Sequence, residues 1–163
     1  MWNVAFVIKR INAKSAVIGV TYGEEINIMN QHAVILLHQG PKVLFVQRSS
    51  NKKSPNTWSF ASGTIEPGEI PETTVAREAK EELGLDVEIE KLLTTINLPH
   101  INVDLHFVLC SNTSNQPIVF DPREIQQYRF MTFEDFFKTF ADDQLDRGPR
   151  YLRNHPEIWN RIN

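Results

Sequence analysis

The amino-acid sequence predicts an α/β or α+β sandwich, a mixed sheet of short strands with a few helices packed on it. Three observations carry this. Residues 33–37 and 43–47 are aliphatic, β-branched runs separated by Gln39-Gly40-Pro41, the composition of a hairpin turn. Residues 71–83 repeat small apolar side chains at helical spacing between Pro71 and Gly84. Further short apolar runs follow at 87–96, 103–110 and 127–131, so strands interleave with few helices.

Taken in order, residues 3–8 and 16–22 read as two short strands, Gly23 ending the second. They are assigned, with the rest of residues 1–30, to a single domain spanning 1–163. After the hairpin comes the polar loop SSNKKSPNT at 49–57, then Trp58-Ser59-Phe60, whose alternation opens another strand. Glu72 suits the positive end of the 71–83 helix, and Gly84 suits its left-handed stop. At about 100° per residue, Val75, Ala76, Ala79 and Leu83 share one arc and predict a narrow face lying close to the sheet. Phe133, Phe136, Phe137 and Phe140 recur at helical spacing after Thr132, a candidate N-cap. A last helix is expected within 148–161.

Composition sets the outer bounds. At 163 residues the chain is long enough to bury one core without covalent staples. A net charge of −3 and a pI of about 5.9 argue against non-specific binding of a nucleic-acid polymer. The single Cys110 forms no internal disulfide, and after Phe107-Val108-Leu109 it reads as a buried strand thiol. The first residues, MWNVAFVIKRIN, lack the apolar stretch of a signal peptide, and no run reaches 18 apolar residues. A cytoplasmic protein without membrane contact is the expectation, either monomer or homodimer.

The chemistry concentrates in GTIEPGEIPETTVAREAKEELGL, residues 63–85. Glu78, Glu81 and Glu82 share a helical arc, with Glu78 and Glu82 at i,i+4. Like charges at that spacing cost about 0.2–0.5 kcal/mol, and the negative end of the helix dipole disfavours them further. A bound cation relieves both penalties, and hard carboxylate oxygens suit Mg²⁺ or Mn²⁺. Arg77 and Glu69 are placed to bridge the preceding loop to the helix.

This stretch resembles the Nudix box, G-x5-E-x7-R-E-U-x-E-E-x-G-U, where U is a bulky aliphatic residue. Gly63, Glu69, Arg77, Glu78, Glu81, Glu82, Gly84 and Leu85 match it, and Ala79 at the first U position is the one departure. The resemblance implies an α/β/α sandwich with a mixed central sheet and the box as loop-helix-loop. It implies a metal-dependent hydrolase that cleaves a nucleoside diphosphate linked to another moiety. Glu78 and Glu82 would be the principal metal ligands, supported by Glu81 and by the carbonyl of Ser62. Gly63, Glu69 and Arg77 would be structural.

The general base is left open between a box glutamate and Glu124, in the loop after Phe120. Arg48 is a candidate for outer phosphates. Lys52 and Lys53 are further candidates for outer phosphates, with solubility the stronger reading for both. Phe140-Ala141-Asp142-Asp143 is similar to an aromatic-Pro-Asp-Asp segment of the branch acting on oxidised purine triphosphates. Phe140, Asp142 and Asp143, with Trp58, are therefore candidate substrate contacts for a purine triphosphate cleaved to monophosphate and pyrophosphate. The amphipathic alternative makes the Phe stripe core. An ADP-ribose or nucleotide-sugar pyrophosphatase and a non-catalytic nucleotide-binding module are the other readings. The scattered histidines, His32 and His106 among them, read as structural.

Overall fold

The computed structural model describes residues 29–113 and 116–160. The strands expected at 3–8 and 16–22 lie outside them, as does most of the 1–30 segment. Seven strands form one mixed sheet: β1 (Asn30–Gln39), β2 (Lys42–Arg48), β3 (Trp58–Ser59), β4 (Ser62–Thr64), β5 (Glu88–Leu98), β6 (Val103–Ser111) and β7 (Ile125–Met131). The helices are α1 (Pro71–Leu83), α2 (Phe133–Thr139), α3 (Arg147–Arg153) and α4 (Pro156–Trp159).

The hairpin β1–β2 turns at Gly40, whose φ of 58° lies in the left-handed region that glycine enters freely. Only its base is paired, at His38↔Val43 and Gln39↔Lys42. Beyond that the two strands part, and β4 pairs β1 while β3 pairs β2. Strand β6 runs parallel to β1, β5 antiparallel to β6, and β7 antiparallel to β2. The last pair has an irregularity at Gln47/Arg48, which sets Arg48 opposite Ile125 and brings the end of β2 to the loop carrying Glu124.

Alternation along the strands divides the core into two layers. Ala33, Ile35 and Leu37 face α1, where they meet Val75, Ala79 and Leu83. Val34 and Leu36 face the other side, where Phe45, Phe60, Phe107 and Phe136 pack under α2 and α3. The expected sandwich is therefore present, helices covering both faces of a mixed sheet. Cys110 is buried in the α1 layer, and burial pushes its thiol up to about 12.

Two expectations are corrected and one unpredicted strand is present. On α1, Ala76 is exposed and Thr74 is fully buried in its stead, because its hydroxyl donates to the Glu69 carboxylate at 2.8 Å. The final helical stretch is two short helices, separated where Asn154 and His155 close the turn onto Tyr151 and Leu152. Strand β4 is present although its Ser-Gly-Thr sequence carries no strand signal. Among the described residues no helix is long and apolar enough to cross a membrane.

Candidate active site

The loop before α1 is held by one arginine. Arg77 donates from Nε and Nη2 to both oxygens of Glu69, at 2.9 and 3.0 Å, and from Nη2 to the carbonyl of Thr64 at 3.1 Å. Glu69 also accepts from the backbone N–H of Glu66 and the hydroxyl of Thr74. The guanidinium beside it, aided by these donors, lowers the Glu69 carboxyl to about 2. The expected bridge between Glu69 and Arg77 is thus formed. Ala79 is fully buried, so the departure from the box pattern is absorbed by packing.

Helix α1 ends at Gly84, with φ 68°. Its last carbonyls are taken by the following segment: Val119 N–H donates to Leu83 and Asp121 N–H to Glu82. This ties residues 119–124 to the helix end. Ser49 ties the same segment to β2, through its N–H to the carbonyl of Glu124 and its hydroxyl to that of Pro122.

The result is an open pocket lined by Glu78, Glu81, Glu82 and Glu124, with Asp121, Arg48 and Arg123 at its rim. Gly63, Ser62 and His32 form its inner wall. Gly63 is required there by contact: a Cβ would fall 1.9 Å from Oε1 of Glu78. Glu78 is 14% exposed and receives Arg77 Nη1 at 2.6 Å. Burial nonetheless raises its carboxyl above the ordinary range. Glu82 rises further, to about 8, first through burial and then through the charges of Glu78 and Glu124. Glu81 is 61% exposed at the pocket edge.

Strand β4 explains how Ser62 enters. The hydrogen bonds Ile35 N–H to Ala61 and Ile65 N–H to Gln31 set the alternation of the β1–β4 ladder. Odd-numbered residues of β4 therefore bond β1, and the backbone of Ser62 and Thr64 turns toward α1. Ser62 N–H accordingly bonds the Glu82 carboxylate. Its carbonyl leaves the strand on the same edge.

The donor chemistry fits a divalent cation, since five carboxylates line one pocket and two of them are held above their usual range by burial without enough positive charge. Their side chains are spread along the wall, and among the described residues no three acidic or imidazole groups converge to ligation distance.

Four of the candidate substrate contacts, Trp58, Phe140, Asp142 and Asp143, lie off the acidic pocket. Trp58 is 3% exposed and Phe140 9% exposed. Their rings lie 4.7 Å apart within the aromatic layer, where Phe136 stacks on Phe45 at 3.6 Å. Asp142 pairs with Arg153, Asp143 is exposed, and neither lines the pocket. The resembling four residues follow the end of α2, where the helix's own apolar stripe claims Phe140 for the core. Arg48 does reach the pocket.

Other residues of the pocket were read differently from sequence or not singled out. Lys52, taken there for a solubility residue, is ion-paired with Glu124. Asp121 and Arg123 pair with one another at 2.6 Å beside it, and Asp-Pro-Arg-Glu after an apolar run was the available signal. His32 faces the pocket from β1 and is kept neutral by burial, with no sequence signal of its own.

Comparison with known proteins agrees with this geometry. Residues 29–152 match the NUDIX domain family. An 8-oxo-dGTP diphosphatase of Proteus vulgaris is 30% identical over 86 residues, 52% of this chain and 77% of that protein. A MutT-like protein of Streptomyces ambofaciens is 37% identical over 60 residues, covering 37% of this chain and 36% of that protein. The crystal structure of a MutT protein from Methanosarcina mazei Go1 superposes with a TM-score of 0.65 at 20% identity, over 83% of this chain and 95% of that one. With Gly63, Glu78, Glu81 and Glu82 of the box lining one pocket at the end of α1, the chain belongs to the NUDIX domain family and is a Nudix hydrolase.

Proposed function

We propose that the protein is a nucleotide pyrophosphohydrolase that cleaves the phosphoanhydride of a nucleoside diphosphate derivative with Mg²⁺ or Mn²⁺, a nucleoside triphosphate giving monophosphate and pyrophosphate. The observation that carries this is the single pocket lined by Glu78, Glu81, Glu82 and Glu124 with Arg48 and Arg123 at its rim. Carboxylates alone repel a diphosphate; carboxylates that hold a cation attract it. A bound cation would supply charge neutralisation and acidify a water. Glu78 and Glu82 would hold it, with Glu81 and the Ser62 carbonyl in support. Glu124 accepts the proton of the attacking water, its carboxylate steadied by Lys52. Arg48 and Arg123 orient the outer phosphates.

The test is a panel of nucleoside triphosphates, ADP-ribose and nucleotide sugars, each with Mg²⁺ or Mn²⁺ and with the products identified by mass. Pyrophosphate release supports the triphosphate reading, and a sugar phosphate assigns the alternative class. Absence of metal-dependent cleavage across the panel refutes the pyrophosphohydrolase and leaves a nucleotide-binding module.

A further inference from the structure

The turn that carries Glu124 is tied down at both ends by bonds within the chain. At one end, Asp121 N–H bonds the carbonyl of Glu82 at 3.0 Å, which fixes the turn to the end of α1. The Asp121 carbonyl then accepts from the N–H groups of Glu124 and Ile125 at 3.0 and 2.9 Å, closing the turn on itself. At the other end stands Ser49. It follows directly on the irregular pair Arg48↔Ile125, and its N–H bonds the Glu124 carbonyl at 2.9 Å. Its hydroxyl bonds the Pro122 carbonyl at 3.1 Å, and its own carbonyl accepts from Lys52 N–H at 3.2 Å. Ser49 is 8% exposed, and a hydroxyl so buried needs the bond it makes.

The side chain is fixed as well as the backbone. Lys52 Nζ donates to Oε1 of Glu124, from a backbone that its own N–H holds to Ser49. Among the described residues Oε2 of Glu124 takes no hydrogen bond, so one oxygen is left for a water. Lys53, next in the chain, goes elsewhere. With Phe60 and Arg147 it lines a neighbouring cavity of about 200 Å³ that shares His32, Arg48 and Ser62 with the acidic pocket. The side chains of Lys52 and Glu124 are 31% and 36% exposed, and an ion pair so open to water contributes little to stability. Holding two long side chains in one geometry matters instead for alignment. A base must stand within hydrogen-bond reach of its water, and a misplacement of about 1 Å can cost a hundredfold in rate.

From this double attachment we infer that Ser49 and Lys52 are positioning residues that preset Glu124 against the Glu82 end of α1. Ser49 sets the turn and Lys52 sets the carboxylate. The base is thereby aligned by bonds within the chain and not by contacts with the substrate. This rests on the pyrophosphohydrolase reading, with Glu124 as its base, and names what aligns that base.

Two readouts test it, one of them without turnover. Hydrogen exchange of the full chain is followed by mass spectrometry on a peptide covering residues 119–126. The amides of Glu124 and Ile125 should be protected in the native protein and exchange at least about tenfold faster in S49A/K52A. Pro122 is exposed, so water takes its vacated carbonyl and the fold survives, as circular dichroism and the melting point check. Should the double variant melt early, K52A and K52R, altered only at a half-buried side chain, carry the test. Steady-state kinetics with Mn²⁺ use the nucleotide of the panel that turns over fastest. S49A and K52A should each lower kcat about tenfold or more while KM moves less than about twofold, and K52R should recover most of the loss. E124Q alone should lose about a hundredfold, and in that background S49A and K52A should do nothing further, since both act through the one carboxylate. Exchange in the double variant equal to native overturns the inference. So does a loss of kcat that persists in E124Q, or an E124Q that turns over like the native protein. Absence of turnover on every nucleotide, with the exchange as expected, fails the pyrophosphohydrolase reading alone.

Discussion

Replacing Glu82 by Gln should stabilise the metal-free protein in alkaline solution while abolishing hydrolysis. The Glu82 carboxyl is folded into a site that raises it from 4.5 to about 8, so the folded chain binds a proton there that the unfolded chain has already released. Between those two values the folded state loses stability as pH rises, and the loss is complete above about 8. At about 1.4 kcal/mol per pH unit this amounts to about 5 kcal/mol at most. Glutamine carries no proton to lose, keeps an oxygen for the N–H of Ser62, and removes a charge that also strains Glu78 and Glu124. The assay is thermal unfolding in EDTA at pH 5 and pH 9. Native protein and variant should melt together at pH 5. At pH 9 the variant should melt up to about 10–20 °C higher, given about 2–4 °C per kcal/mol for a domain of this size. Added Mg²⁺ should raise the native melting point and leave that of the variant nearly unmoved. A variant equal to or less stable than the native protein at pH 9 without metal would refute the account of a carboxylate buried without a counter-charge.

Gly63→Ala drives a Cβ into the space of the Glu78 carboxylate, which sits at the movable end of its side chain. The rate should fall at least about tenfold with a melting point within a few degrees of native, and native kinetics would remove Glu78 from the site. Glu69→Gln breaks the bidentate pair with Arg77 and should cost about 1–3 kcal/mol at pH 7, measured by urea unfolding. Because the Glu69 carboxyl is lowered to about 2, that contribution is present above pH 4.5 and disappears as pH falls toward 2, so an acid titration in which native and variant stay apart at pH 2 contradicts it. Phe140→Ala should cost about 3–5 kcal/mol as a core truncation while KM changes less than about twofold. A large rise in KM on an unaltered melting point would restore Phe140 to the base.

What the sequence made legible follows from where each feature's partners lie. Glu78, Glu81 and Glu82 are gathered by the helical repeat alone, so their common face could be read from spacing, and so could the reach of Arg77 to Glu69 eight residues earlier. Arg48, Lys52 and Glu124 meet only because β7 pairs β2 with an irregularity at Gln47/Arg48, a register that nothing local specifies. Lys52 and Lys53 show the limit most sharply. They are adjacent in a polar loop, yet one pairs with Glu124 in the acidic pocket and the other lines the neighbouring cavity, because alternate side chains of a tight loop leave in different directions. The Phe stripe was legible for the opposite reason: a period of 3.6 reports one apolar face, and Phe133 and Phe136 are buried on it. The same periodicity does not separate Phe140, the one ring of the stripe offered to a base, from that core face. A pattern within one element reports which residues act together; only the pairing between elements reports what they act upon.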